Sequence, residues 1–225
     1  MSKGVLLIPA FAIGRTQEIL CHLNSLVEEK RIPPIPVLID SPIADQVTGI
    51  YRRYLDCYDN ETNTKIASGD LPLEFRGLSF AMTPAQSHAI RDIRPPLIIV
   101  AGSGMCNGGR ILKYIKNFAE NQSTTIMFVG WQGASTPVQK FIDGERHVTI
   151  EGKKLFIKAH IETLNRFSAH ADQKELLYWA KLIPGPPGLW FVNHGEREQV
   201  CVLAQLLEKE IGGRAIAAAM ETYEV

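Results

Sequence analysis

"PLIIVAGSGMCNGGRILKY", residues 96–114, runs from an apolar β-rich segment through a glycine-rich turn into a helical pattern that starts near Arg110. No polar residue interrupts Leu97 to Val100, so the segment reads as a strand buried on both faces. That is the habit of parallel sheets whose two faces are covered by helices. The loop that follows, "AGSGMCNGGR" (101–110), carries Gly102, Gly104, Gly108 and Gly109. Backbone there can approach another segment or a ligand closely. The glycine spacing is not G-x-G-x-x-G, and no acidic residue ends a strand ~20 residues later, so the dinucleotide signal is weak. A tight structural turn and a ligand loop, including a nucleotide loop, all remain open for this stretch.

The same alternation extends in both directions. Upstream, "GVLLIP" is a buried strand, and "TQEILCHLNSLVEEK" is an amphipathic helix with Ile19, Leu20, Leu23 and Leu26 or Val27 on one side. "IPVLID" is a second strand, followed by a helix that Ser41 caps and Pro42 opens. "LSFAMT" and "TTIMFVG" are further short β-rich runs. Strands alternating with helices predict an α/β fold with a mostly parallel, Rossmann-like sheet. Near residue 144 the texture changes. "HVTIEGKKLFIKAHIETL" alternates in character and turns at Glu151-Gly152, which predicts an antiparallel hairpin. A helix opened by Asp172 with Glu175 follows, then the rigid "PGPPG" connector, the strand "LWFVN", and a last helix with Val200, Leu203, Leu207 and Ile211 on one stripe. A soft boundary is expected at about 143–147.

The totals fit a globular chain. Of 225 residues, 45% are apolar and 21% charged, and 24 basic residues balance 24 acidic ones. No global electrostatic pull on nucleic acid follows, although a local basic groove is compatible with this balance. Cys21, Cys57, Cys106 and Cys201 form no C-x-x-C pair and read as reduced thiols of a cytoplasmic protein. The opening "MSKGVLLIPAFA" resembles a short signal peptide, but its apolar run is only Val5 to Ile8 before Pro9, too short for that role. No apolar run approaches the ~20 residues that span a bilayer, so no membrane partner is expected.

Three groups offer chemistry. His194, in "LWFVNHGERE", stands where a strand gives way to a helix, the end at which open α/β sheets bind ligands. His170, in "RFSAHAD" (166–172), stands between two alanines just before a capped helix. With Ser168 and the amides around Ala169 and Ala171 it is suited to hold a phosphoryl oxygen or to protonate a leaving group. Asp40 ends the strand "PVLID"; shaping the turn into the next helix is its expected role, with catalysis the alternative. His22, His88, His147 and His160 have no partner at ligand spacing and read as structural or solvated.

Five stretches then become recognisable together: "VLLIPAFAIGRTQEIL", "LIDSPIA", "GSGMCNGGR", "FSAHADQKELLYW" and "NHGERE". In this order they resemble the metallo-β-lactamase-fold nucleases with a β-CASP insertion, the group of the cleavage and polyadenylation specificity factor endonuclease and its bacterial and archaeal relatives. The resemblance implies that residues 1–20 lead from a lactamase core into the insert. Residues 21–145 are then the β-CASP domain, and 146–225 the C-terminal half of an αββα lactamase core. It implies that His170 works at the scissile phosphate as proton donor or phosphate contact, with Ser168 and Ala169 beside it, and that His194 is a zinc ligand. Arg15, Ser103, Gly104, Gly108 and Gly109 are the cleft residues it adds.

The family's H-x-H-x-D-H zinc motif occurs nowhere among the six histidines of this sequence. A catalytic zinc takes at least three protein ligands, and a two-zinc centre more. The expectation is therefore the C-terminal portion of a zinc-dependent ribonuclease that acts on single-stranded RNA, retains no zinc alone and is inactive alone. An N-terminal lactamase half in trans, and association of identical copies, are the further partners expected. The alternative is a non-catalytic RNA-binding or scaffolding protein of the same descent.

Overall fold

The computed structural model describes residues 4–130, 137–164, 170–185 and 187–219. The chain divides into two compact units, Met1–Ser168 and Ala169–Val225. Each is described by itself.

The first unit begins with β1 (Val5–Pro9), α1 (Arg15–Glu28), β2 (Val37–Asp40), α2 (Pro42–Arg53), α3 (Asn60–Ala67), β3 (Leu78–Phe80) and α4 (Pro84–Ala89). It continues with β4 (Leu97–Ala101), α5 (Ile111–Phe118), β5 (Thr125–Val129), α6 (Pro137–Ile142), β6 (His147–Ile150), β7 (Lys153–Phe156) and β8 (His160–Leu164). Six strands form one sheet in the order β3-β2-β4-β1-β5-β8, and every neighbouring pair is parallel. The mostly parallel α/β sheet expected from the uninterrupted apolar runs is therefore present.

Strand side chains alternate between faces, and here both faces are apolar. Val5 and Leu7 of β1, Leu38 of β2 and Leu97 and Ile99 of β4 join Ile111, Tyr114 and Ile115 of α5 in one core. Ile8, Val37, Ile39, Ile98 and Val100 point the other way, into a second core with Ile19, Leu20 and Leu23 of α1. That two-sided burial is why these strands carry no alternating polar positions. Local signals place the helix starts. The Ser41 hydroxyl accepts from the Ala44 amide at 3.2 Å with Pro42 in the first turn, and Thr83 and Gln86 close a capping box on α4.

The Glu151-Gly152 turn joins β6 to β7 with both residues at positive φ, 47° and 78°, the two-residue hairpin connection. His160–Leu164, which the sequence pattern grouped with that hairpin, instead forms β8 and pairs in parallel with β5. The change of texture at 143–147 marks the hairpin, while the compact unit continues to Ser168. The reason is burial: Val148, Ile150, Leu155 and Ile157 enter the same core as α5.

The second unit holds α7 (Gln173–Lys181), β9 (Leu189–Val192), α8 (Arg197–Glu210) and β10 (Arg214–Ala217). β9 and β10 pair in parallel, and Leu177, Trp190, Val192, Val200, Ala204 and Leu207 form its core. The Asp172–Glu175 capping box on α7 is present. Among the described residues no helix is long and apolar enough to cross a membrane.

Candidate functional site

Asp40 closes β2 on the same face as Leu38, the face covered by α5. An apolar side chain would continue the core there; a carboxylate must find partners or neutralise. Its side chain is fully buried, and four groups converge on it. Arg110 Nη1 donates to Oδ1 at 2.6 Å. Tyr114 OH donates to Oδ2 at 2.7 Å, Ser87 Oγ donates to Oδ2 at 2.6 Å, and Lys113 Nζ lies 3.0 Å from Oδ2. Lys113 also donates to the Ser87 hydroxyl and, at 3.0 Å, to the Ser87 carbonyl. Its ammonium stands 4.6 Å from the centre of the Tyr114 ring. Burial alone pushes the Asp40 carboxyl up, but the hydrogen bonds from Ser87, Tyr114, Lys113 and Arg110 outweigh it and hold the group below the usual carboxylate range. Burial and the neighbouring carboxylate push the Tyr114 phenol up, so it stays a donor.

This corrects the turn-shaping role expected of Asp40. Ser41 caps α2, and the Asp40 carboxylate instead ties β2 to α4 and α5. Two cations face one buried anion. The Arg110 and Lys113 side chains are 33% and 31% exposed, so one positive charge in excess reaches solvent at the carboxyl end of the sheet.

The glycine loop stands at the same end, between β4 and α5. It folds onto itself: the Ser103 amide donates to the Gly108 carbonyl at 3.1 Å, and the Ile111 amide to the Gly102 carbonyl at 2.8 Å. Ser103 Oγ bonds Asn107 Oδ1 at 2.7 Å. Gly109 has φ +81°, and a Cβ there would lie 2.4 Å from the Gly102 carbonyl oxygen. Gly104 is buried against Phe11, whose ring a Cβ would meet at 3.1 Å. Cys106, inside the loop, is buried, and burial pushes its thiol up to about 12, which removes it as a nucleophile. Arg15 opens α1 just after β1, the strand beside β4. Its guanidinium pairs with Glu18 at 3.0 Å, and the side chain as a whole is 14% exposed.

Ser103, Gly104, Gly108, Gly109 and Arg15 are therefore at one end of one sheet. Arg110, Lys113, Tyr114 and Ser87 join them and were not singled out from the sequence. The signal that existed was a buried-strand aspartate needing counter-charges.

In the second unit, His170 is exposed in a bend just before α7. Ser168 and Ala169 lie outside the described residues. His194 is exposed where β9 ends, its amide bonded to Asn193 Oδ1 at 2.8 Å. Its φ of 62° is a left-handed conformation that costs an L-residue free energy. Gly195, next in the chain, lies so close to α8 that a Cβ would meet Val200 Cγ2 at 2.8 Å. Among the described residues, no group of three or more His, Cys, Asp and Glu side chains is placed to hold a metal ion. One imidazole does not make a zinc site, so the described residues do not fit a catalytic zinc by themselves.

Comparison with known proteins gives these positions a context. The Beta-Casp domain family model matches residues 16–141, which contain Asp40, the glycine loop, Arg110 and Lys113. The model for a Zn-dependent metallo-hydrolase RNA specificity domain matches residues 155–218, which contain His170 and His194. The chain is 35% identical over 204 residues to ribonuclease TTHA0252 of Thermus thermophilus, covering 91% of this chain and 46% of that protein. It is 32% identical to the transcription termination factor FttA of Methanosarcina mazei, covering 92% of this chain and 33% of that one. An RNase J-like protein of Methanocaldococcus jannaschii is 30% identical, with 92% and 47% covered. The chain thus spans about a third to a half of the length of these curated relatives. With its two domain matches in the order the fold presents them, the chain belongs to the β-CASP family of metallo-β-lactamase-fold RNA nucleases.

Proposed function

We propose that these 225 residues form the β-CASP and RNA-specificity portion of a zinc-dependent ribonuclease that hydrolyses phosphodiester bonds of RNA in the cytoplasm, in RNA processing or decay. The observation that carries the reading is the surplus cation at the carboxyl end of the parallel sheet. Asp40 neutralises one of Arg110 and Lys113 and leaves a rigid, partly exposed positive charge beside the glycine loop. A fixed cation next to close-approach backbone suits a phosphodiester, whose oxygens accept charge-assisted hydrogen bonds.

In this reading the glycine loop around Ser103 lines the cleft, and the Arg110 and Lys113 cations orient the RNA backbone. His170 holds a phosphate oxygen or delivers a proton to the leaving group, with Ser168 and Ala169 alongside. His194 contributes one imidazole to the zinc centre of the complete enzyme. A lactamase half carrying H-x-H-x-D-H, in the same polypeptide or a separate one, supplies the other ligands. Alone, the 225-residue polypeptide holds no stoichiometric zinc and does not cut RNA, since general acid chemistry contributes only ~10²–10⁴-fold.

Elemental metal analysis and a cleavage assay with labelled single-stranded RNA, on one preparation, test this. The expected result is no tightly bound zinc and no cleavage, with cleavage appearing once the lactamase half is added. His170→Ala should then lower the restored rate by about 10²–10⁴-fold. Unchanged restored activity in that variant refutes the role of His170; stoichiometric zinc with cleavage by the polypeptide alone refutes its dependence on a second half.

A further inference from the structure

The β6–β7 hairpin carries an aromatic pair that the site above does not use. Register places His147 opposite Phe156 and Thr149 opposite Lys154. Val148, Ile150 and Leu155, on the other face, are buried in the core. Strict alternation then leaves the first set outside, and the face should be polar. Phe156 breaks that pattern: it is 43% exposed, and the His147 ring lies tilted beside it with ring centres 5.0 Å apart at 39°. Lys158 Nζ stands 5.9 Å from the centre of the Phe156 ring, and Lys154 is exposed on the same face.

The hairpin is also locally basic. Residues 146–158 hold four cations (Arg146, Lys153, Lys154, Lys158) and one acid (Glu151), a net +3 with histidine neutral in a chain of net charge zero. Glu151 is taken by Lys116, and Glu120 Oε1 accepts the Phe156 amide at 2.9 Å. Arg146 and Lys153 are tied to the Ile157 and Lys116 carbonyls at 3.2 and 3.1 Å. Lys154 and Lys158 are therefore the cations that flank the rings.

This face is remote from the glycine loop. The hairpin feeds the amino end of β8, where the His160 amide bonds the Thr124 carbonyl at 2.9 Å. Asp40 and Ser103 stand at the carboxyl ends of parallel strands in the same sheet. A five-residue strand separates the two ends by about 16 Å.

We propose that the His147–Phe156 face of this hairpin is an accessory binding platform for single-stranded RNA, on which one base stacks while Lys154 and Lys158 hold the flanking phosphates. Aromatic rings flanked by cations are how proteins hold single strands without reading sequence. The match to the RNA specificity domain begins at residue 155 and so includes Phe156 and Lys158. The class of ligand rests on the RNA reading above; the site does not. A platform at the far end of the sheet from the glycine loop would keep hold of a strand whose other part lies at the loop.

The test is fluorescence anisotropy of a labelled 15-nucleotide oligouridylate with the 225-residue protein, its Phe156→Ala, Phe156→Tyr and Lys154→Ala/Lys158→Ala variants, and circular dichroism of each. Phe156→Ala is expected to bind about tenfold more weakly, Phe156→Tyr like the parent. The double lysine variant should bind more weakly and show a shallower salt dependence. Parent-like binding by folded Phe156→Ala overturns the platform while leaving the RNA reading intact. Should that variant misfold, parent-like binding by the double lysine variant overturns it. No binding by the parent overturns both.

Discussion

Asp40 and Arg110 are 70 residues apart in the chain and 2.6 Å apart in the fold. The contact joins the end of β2 to the first residue before α5, and so fixes how the glycine loop enters α5. Because the carboxylate is fully buried, its partners cannot be exchanged for water.

Asp40→Asn should therefore destabilise the first unit. Removing one partner of a buried ionic pair costs roughly 3–5 kcal/mol. The low end is expected, because Arg110 and Lys113 are about one-third exposed and can turn to solvent. A lowered urea midpoint with unchanged slope is the predicted result; an unchanged midpoint counts against the network.

The same carboxyl sets an acid limit. Its folded pKa is held below the ordinary 3.8, so its contribution is complete above that value and is lost as pH falls through the lower, folded one. Urea midpoints measured from pH 6 down to pH 3 should therefore decline less steeply in Asp40→Asn than in the parent. Parallel declines would place the acid sensitivity elsewhere.

Gly109 and Gly152 separate backbone strain from crowding. Both have φ near +80°, but a Cβ on Gly152 meets open space and one on Gly109 meets the Gly102 carbonyl and the Ser103 amide within 2.6 Å. Gly152→Ala should cost about 1 kcal/mol, the left-handed penalty alone. Gly109→Ala should cost more than about 2 kcal/mol, because backbone has to move. Equal losses in thermal unfolding would mean that the loop is not packed on itself.

His194 is exposed and held at φ 62°. His194→Gly should leave the second unit as stable as the parent or more so, by up to about 1 kcal/mol, and the β-branched His194→Val should destabilise it. As the proposed zinc ligand, His194 should be required for cleavage once the lactamase half is added, so both variants should lose it there. A destabilised glycine variant would show that the imidazole is there for the fold.

The sequence by itself determined the architecture and the ends of most elements. Apolar runs such as Leu97–Val100 cannot be half-solvated, so helices must cover both faces of the sheet. Ser41 with Pro42, and Asp172 with Glu175, satisfy helix N-termini from residues within four positions, and such local chemistry is readable without a fold. The order of five motifs likewise marked the family. What only the tertiary structure decided were contacts between distant segments. The side of β8 that pairs with β5, the four groups gathered on Asp40, and the exposure of Phe156 opposite His147 leave no periodic trace. A carboxylate at a strand end reads the same whether it caps a helix or neutralises two cations. The difference lies in the burial imposed by α5 and in partners 47 to 74 residues away, which no local pattern encodes.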